Sequence, residues 1–276
     1  MNAQQPEQTR LAWDRIAQGY DKFVTGKHMS LANEALRRAG LRNGMRFLDV
    51  ACGTGALSLP AARHGALVTA TDLSPAMVDL VKARARSEGH ITLEARTMDG
   101  HNLELPDNTF DVSGSQFGVM LFPDLPRGLR ELVRVTKPGG RVVIVAFGPV
   151  QEVEFLGFFM RAIKSVVPSF AGLPMDPPPL PFQVGNPEKL RQEMVSAGLK
   201  DVRVERLTQE LNFQDGKAFS EWLMNSNPIP AMLVAGFTAE QKAAIEKALD
   251  SLVKERAGST GAAQLSHPIN IGIGTK

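Results

Sequence analysis

The chain has 276 residues, 43% of them hydrophobic, with 31 Lys/Arg against 29 Asp/Glu and a formal net charge of +2. That length suits one large α/β domain with an added cap, although two ordinary domains would also fit, and the near-balanced charge gives no basic footprint for a nucleic acid or an anionic membrane. A single cysteine excludes an internal disulfide, and a polar start with no apolar run of about 18 residues reads as a soluble, cytoplasmic chain without membrane insertion.

Residues 1–9 are polar and read as a frayed terminus, after which a first helix places Leu11, Ile16 and Tyr20 near one face. A second helix over 30–39 carries Leu31, Ala35 and Leu36 and stops at Gly40, which suits a left-handed C-cap. Phe47, Leu48 and Val50 make a short buried strand that includes Asp49 and runs straight into Ala51-Cys52-Gly53-Thr54-Gly55. The two glycines permit positive φ and let a ligand approach the backbone. A helix over 56–63 follows, so the turn is either a tight strand–helix connection or the crevice in which such a sheet receives a nucleotide-like ligand.

Two further strands end near acids. Residues 66–72 form the second strand, and Asp72 stands where a carboxylate accepts both hydroxyls of a ribose, or else caps the helix begun by Ser74 and Pro75. Residues 91–95 form the third, followed by Met98-Asp99-Gly100, where Asp99 either reads an adenine amino group or shapes a turn. Three acids in succession at strand ends, Asp49, Asp72 and Asp99, favour a nucleotide site over three coincidental turns. A fourth strand covers 110–115. The loop 116–122 follows, then a helix over 125–136 with Leu129, Leu132 and Val133 on one face. The fifth strand, 141–147, is continuously apolar from Val142 to Ala146, as for a strand covered on both faces.

In order and spacing over about 10–150, these motifs resemble class I S-adenosylmethionine-dependent methyltransferases of the methyltransferase type 11 kind. The residues that carry the resemblance are 48–55 above, Asp72-Leu73-Ser74, Met98-Asp99-Gly100, Leu105-Pro106-Asp107-Asn108-Thr109-Phe110-Asp111 and Leu129-Arg130-Glu131-Leu132-Val133-Arg134-Val135-Thr136-Lys137-Pro138-Gly139-Gly140. The chain is most similar to the small-molecule branch that holds the ubiquinone and menaquinone C-methyltransferases, whose N-terminal helix resembles Trp13-Asp14-Arg15-Ile16-Ala17-Gln18-Gly19-Tyr20-Asp21. The resemblance implies an α/β, Rossmann-like doubly wound sheet of seven strands in the order 3-2-1-4-5-7-6, the last antiparallel, with a helical cap. It implies S-adenosyl-L-methionine as cofactor and S-adenosyl-L-homocysteine as product. Cofactor contacts are expected from Tyr20, Asp49, Ala51, Gly53, Thr54, Gly55, Asp72, Leu73, Met77, Met98, Asp99, Gly100 and Gln116. Tyr20 alternatively packs its ring on the core with the hydroxyl at the surface. The expected organisation is one methyltransferase domain over 1–276: an N-terminal helical cover (1–40), a cofactor-binding core (41–147), a mobile cap or lid (148–187), and the remaining sheet with helices (188–276).

Nucleic-acid and amide N-methyltransferases of this fold carry an Asn/Asp-Pro-Pro-aromatic tetrad after the fourth strand. Gln116-Phe117-Gly118-Val119 stands there instead, and Asp176-Pro177-Pro178-Pro179 falls elsewhere. A helix over 150–167 places Val153, Leu156, Phe159, Met160 and Ile163 on one side, and a proline-dense stretch runs from Pro168 to Pro187. With Phe155, Phe158, Phe170, Met175 and Phe182, this segment suits either ordinary helix packing or the lining of an apolar acceptor site. Helices over 187–197, capped by Asn186, and 216–224 flank a sixth strand at 202–207. A helix from Thr238 to about 256 and an antiparallel strand at 265–273 complete the chain.

The expected substrate pocket is Phe117, Met120, Phe159 and Trp222, and the expected acceptor a small quinol, phenol or similar metabolite methylated on carbon or oxygen. Self-association into a homodimer stays open. His28, His101 and Tyr20 are the candidates for catalysis, whereas His64 ends a helix, His90 lies in a loop, and Cys52 reads as a small buried hydrophobe. No histidine or cysteine pair has zinc-ligand spacing, so no metal is expected. Two other readings remain: a non-catalytic S-adenosylmethionine-binding module, and a nicotinamide oxidoreductase, although Ser58 occupies the position where the dinucleotide fingerprint wants glycine or alanine.

Overall fold

The computed structural model describes residues 6–174, 176–259 and 261–276; residues 1–5 and Met175 of the expected cap lie outside them. Among the described residues seven strands form one sheet in the order β3-β2-β1-β4-β5-β7-β6. They are β1 (Arg46–Val50), β2 (Leu67–Asp72), β3 (Leu93–Thr97), β4 (Phe110–Gln116), β5 (Thr136–Phe147), β6 (Lys200–Phe213) and β7 (Ala263–Thr275). The first five run parallel, and β7 lies antiparallel between β5 and β6. Strand order reverses at β1 and β4, so a crevice opens at their carboxyl ends.

Helices follow three of the parallel strands, α3 (Ser58–Arg63) after β1, α4 (Pro75–Ser87) after β2 and α5 (Leu125–Val135) after β4, whereas β3 passes to β4 through a loop. Local chemistry fixes where helices begin. The Ser74 hydroxyl accepts from Met77 N at 3.1 Å ahead of α4, and Asn186 accepts from Glu188 N at 2.9 Å ahead of α7 (Pro187–Ser196). Thr238 and Gln241 form a capping box on α10 (Ala239–Ala257). No described helix is long and apolar enough to cross a membrane.

Two apolar cores flank the sheet. The first gathers Phe47, Leu48, Val50 and Val142 to Ala146 with α4, α5 and α2 (Gly26–Ala39). The second joins α6 (Glu154–Val166) and α8 (Gly216–Ser226) to α10 and the far ends of β6 and β7. Phe159, expected at a substrate wall, is fully buried in this second core, because the apolar side of α6 packs against α8 and α10.

Several bounds differ from expectation for physical reasons. Residues 6–9 are helical within α1 (Pro6–Tyr20), where Arg10 bonds both Glu7 and Asp14. A π-helical turn, Asp21–Thr25, carries the chain unbroken into α2, which therefore starts at Gly26. Ile91, taken for a strand residue, is 95% exposed; β3 is set instead by pairing Val68 with Leu93 through Asp72 with Thr97. A short helix, α9 (Ile229–Leu233), falls in a stretch to which the sequence reading gives no element; Pro230 sits in its first turn, where proline fits.

Helix α1 lies across the start of α4. Asp14 Oδ1 accepts from the Ser74 hydroxyl (2.5 Å) and from Ala76 N (3.3 Å), and Arg84 Nε stands 2.7 Å from Asp21 Oδ1. Asp14→Ala is expected to lower stability by about 1–3 kcal/mol, the cost of unpairing such groups. Hydrogen exchange should show faster amides in residues 6–20 with β1, β4 and β5 unchanged; equal loosening of those strands would contradict the latch.

Candidate functional site

Two adjoining cavities lie at the carboxyl ends of the parallel strands, and Trp13, Tyr20, Phe117 and Leu121 belong to the walls of both. The outer one holds about 1070 Å³ of free space including its open mouth, the inner one about 440 Å³. Every expected cofactor contact except Thr54 and Gly55 lines the outer cavity. Those two sit behind the wall. The Thr54 hydroxyl pairs with that of Thr25, and a Cβ on Gly55, which has φ +99°, would meet Val81 Cγ2 at 2.6 Å, so this glycine serves the packing of α4.

Backbone geometry shapes the wall. Ala51 (φ 56°) and Phe117 (φ 57°) are non-glycine residues in the left-handed region, at the ends of β1 and β4. A Cβ on Gly118 would meet Ala51 Cβ at 2.5 Å, and one on Gly100 would meet Phe122 Cζ at 2.4 Å. Both positions therefore require glycine for the strand ends to approach as they do.

The acids differ in their partners. Asp72 Oδ2 accepts from Gly53 N and its Oδ1 from Ser74 N, each at 2.9 Å. The fully buried Asp49 accepts from the Ser58 hydroxyl through Oδ2 at 2.5 Å, while its Oδ1 has no partner among the described residues. Ser58 thus supports the acid instead of opening a dinucleotide fingerprint. Burial pushes the Asp49 carboxyl up to about 7 and that of Asp72 up to about 6. It also raises the Tyr20 hydroxyl and the Cys52 thiol, with both acids adding to the effect. Asp99 Oδ1 takes two bonds from His101, from the backbone N at 2.9 Å and from Nδ1 at 2.8 Å, and the imidazole lies 4.5 Å from the Phe122 ring.

The inner cavity is aromatic. Phe117, Met120 and Trp222, expected at the acceptor, line it, and so do His28, Phe147 and Phe155. His101 lines the outer cavity only, and Phe159 lines neither. Trp13 was missed as a wall residue, although it stands two helical turns before Tyr20 and their rings meet edge-on at 6.0 Å.

S-adenosylmethionine fits the outer cavity on chemical grounds. Its cationic groups suit two carboxylates buried without a cation, its ammonium suits the unpartnered Asp49 Oδ1, and Gly53, where a Cβ would meet only the Tyr20 ring at 3.5 Å, lets a ligand lie against the backbone.

Residues 48–144 match the family described as a methyltransferase domain. A demethylmenaquinone methyltransferase of Corynebacterium kroppenstedtii is 32% identical over 214 residues, which cover 74% of this chain and 90% of that protein. The chain belongs to the S-adenosylmethionine-dependent methyltransferases. This methyltransferase is also 38% identical over 141 residues to an uncharacterized protein of Mycobacterium tuberculosis. That match covers 51% of this chain and about half, 49%, of the relative's length. Among solved structures it resembles phosphoethanolamine N-methyltransferase 2 of Haemonchus contortus in complex with S-adenosyl-L-methionine. The TM-score is 0.56 at 20% identity, over 90% of this chain and 52% of that one, a likeness of fold.

Both acid shifts raise a native carboxyl above its unfolded value, so the folded protein holds these protons more tightly than the unfolded chain. Their contribution is full below about pH 4 and is lost as pH rises through about 6 to 7. Asp49→Asn should therefore stabilise the cofactor-free methyltransferase relative to the parent by a margin that grows from about pH 4 to about pH 8, reaching a few kcal/mol at most. Urea unfolding at several pH values checks this; a margin independent of pH would contradict it.

Proposed function

We propose that the protein transfers the methyl group of S-adenosylmethionine, held in the outer cavity, to a carbon or oxygen of a small, largely apolar aromatic acceptor held in the inner one. The observation that carries this reading is the shared wall: a cavity lined by buried acids adjoins one lined by aromatic rings, and Phe117 belongs to both. When bound, the cofactor supplies a methyl group activated on a positively charged sulfur.

The remaining work falls to this chain. The Asp72 oxygens, each fixed by one backbone amide, keep lone pairs for ribose hydroxyls. Asp99, held by His101, stands for the adenine side, and the unpartnered Asp49 Oδ1 for the ammonium. Trp13 and Tyr20 of α1, His28 of α2, and Phe155 and Pro181 from the segment after β5 wall the site and exclude water, so that donor and acceptor meet at near-attack distance. A wall built from Phe117, Phe147, Phe155 and Trp222 suits a molecule that carries an aromatic ring. The demethylmenaquinone named for the corynebacterial relative is consistent with such a ring.

Methyl-labelled S-adenosylmethionine offered with 1,4-naphthohydroquinone, an amino acid and a nucleoside should label the naphthohydroquinone alone; label found only in the polar acceptors would overturn the reading. By calorimetry, Asp72→Ala should weaken S-adenosylmethionine binding by about 1.5–3 kcal/mol, as for loss of hydrogen bonds to a charged group. Unchanged affinity would remove Asp72 from the ribose.

A further inference from the structure

Two of the residues that line the inner cavity carry a buried nitrogen without a hydrogen bond. His28, on α2, is 4% exposed, and its Nδ1 has no hydrogen-bond partner among the described residues. Trp222, on α8, is 2% exposed, and its Nε1–H is likewise unpaired. Both side chains line the cavity. Rings make up most of the remaining wall, with Met120, Leu121 and Pro181 among them and Ser226 and Asn227 at its polar side. His28 meets Phe117 edge-on at 4.9 Å, Phe117 stacks on Phe147 at 4.8 Å, Phe147 meets Phe155 at 5.8 Å, and Phe155 meets Trp222 at 5.0 Å. A leucine and a phenylalanine would serve such a box better than an unpaired acceptor and an unpaired donor, unless a ligand pairs with both.

The backbone of His28 is held at the boundary of the two cavities: its carbonyl accepts from Gln116 Nε2 at 3.1 Å, and Gln116 lines the outer cavity. Burial holds the imidazole down at about 4, with Lys27 on the same helix acting in the same direction and the Gln209 side chain from β6 acting against it. His267, on β7, is the other titratable group that faces it, and burial holds that ring down at about 3. Both imidazoles are therefore neutral at physiological pH, and His28 offers a lone pair.

We propose that His28 accepts the proton of an aromatic hydroxyl on the methyl acceptor, while the Trp222 Nε1–H holds a second oxygen of the same molecule. This rests on the reading that the inner cavity receives the acceptor. The O–H proton passes to His28. The electron pair left behind forms the new bond to the methyl carbon, either from the oxygen or from a ring carbon conjugated with it. The bond from methyl carbon to sulfur breaks, and its pair stays on sulfur. After attack through carbon, the imidazolium gives its proton back to the oxygen and the imidazole then takes the proton from that ring carbon, so that the hydroxyl is restored and His28 again carries the proton. The site carries one positive charge before and after, first on sulfur and then on the imidazolium. Once the neutral product departs, burial returns the proton of His28 to solvent.

The test uses para-nitrophenol, para-hydroxyacetophenone and para-ethylphenol, whose acidity falls in that order, with melting temperatures recorded for every variant. With labelled S-adenosylmethionine, His28→Gln should slow transfer to para-ethylphenol about a hundredfold and to the already ionised para-nitrophenol only a few-fold. In the cofactor-free protein, calorimetry should show the parent preferring para-ethylphenol over its methyl ether about tenfold, and His28→Leu losing that preference. Trp222→Phe should reduce binding of para-hydroxyacetophenone to the level of para-ethylphenol. A loss in His28→Gln that is equal for all three phenols, with the phenol preference intact in His28→Leu, overturns the role of His28. A parent protein that binds S-adenosylmethionine yet methylates none of the three overturns the acceptor reading, and this role with it, while leaving the cofactor reading in place.

Discussion

Two carboxylates withdrawn from water at the ends of neighbouring parallel strands are the constraint on which the rest of this structure turns. Asp49 and Asp72 lie beside one cavity, and the charges that act on them most are those of other carboxylates. Such an arrangement is costly unless the acids hold their protons or a cation arrives. The surrounding sequence serves to keep them in place. Gly53 and Ser74 present backbone amides to Asp72, Ser58 presents its hydroxyl to Asp49, and the tight turn that aims these donors places Ala51 in the left-handed region. The free protein thus stores a desolvation cost that a bound cation relieves, and ligand affinity and fold stability share one source.

How much of this could be read beforehand depended on whether a residue's partner was local. Ser74, Asn186 and Thr238 announce helix starts because the groups they satisfy lie within a few positions of them. Val142 to Ala146 announce a covered strand because every side chain there must be buried. The full length of β6 was hidden for the opposite reason. Past the expected end at Leu207, Thr208, Gln209 and Glu210 look like a polar loop, and only pairing with β7, out to Phe213 opposite Ala263, makes them strand. Periodicity likewise says that α6 buries Phe159 without saying against what; the answer lies in α8 and α10, far along the chain.

The site divides in the same way. The acids and glycines of the outer cavity cluster in short motifs, so their meeting was legible. Thr54 and Gly55 belong to the same motif yet turn toward Thr25 and Val81, a distinction that depends on neighbours the motif does not contain. The inner cavity is assembled from α1, α2, the ends of β4 and β5, α6 and α8. Trp222, Phe155 and His28 were each expected near an acceptor, but no local pattern marks Phe147, inside an apolar strand, as a member of the same wall.

The hold of α1 on the start of α4 carries a consequence for the site. Pro6, Thr9, Trp13 and Tyr20 form one side of the outer cavity, and Asp14 on the same helix grips Ser74 and Ala76, next to the loop that carries Asp72 and Leu73. Helix and loop are therefore a single wall, sewn together by Asp14 and, further along α4, by Arg84 with Asp21. Neither side of that wall can shift without pulling on the other, so a change made in α1, far from the acids in sequence, is transmitted to the loop that holds Asp72.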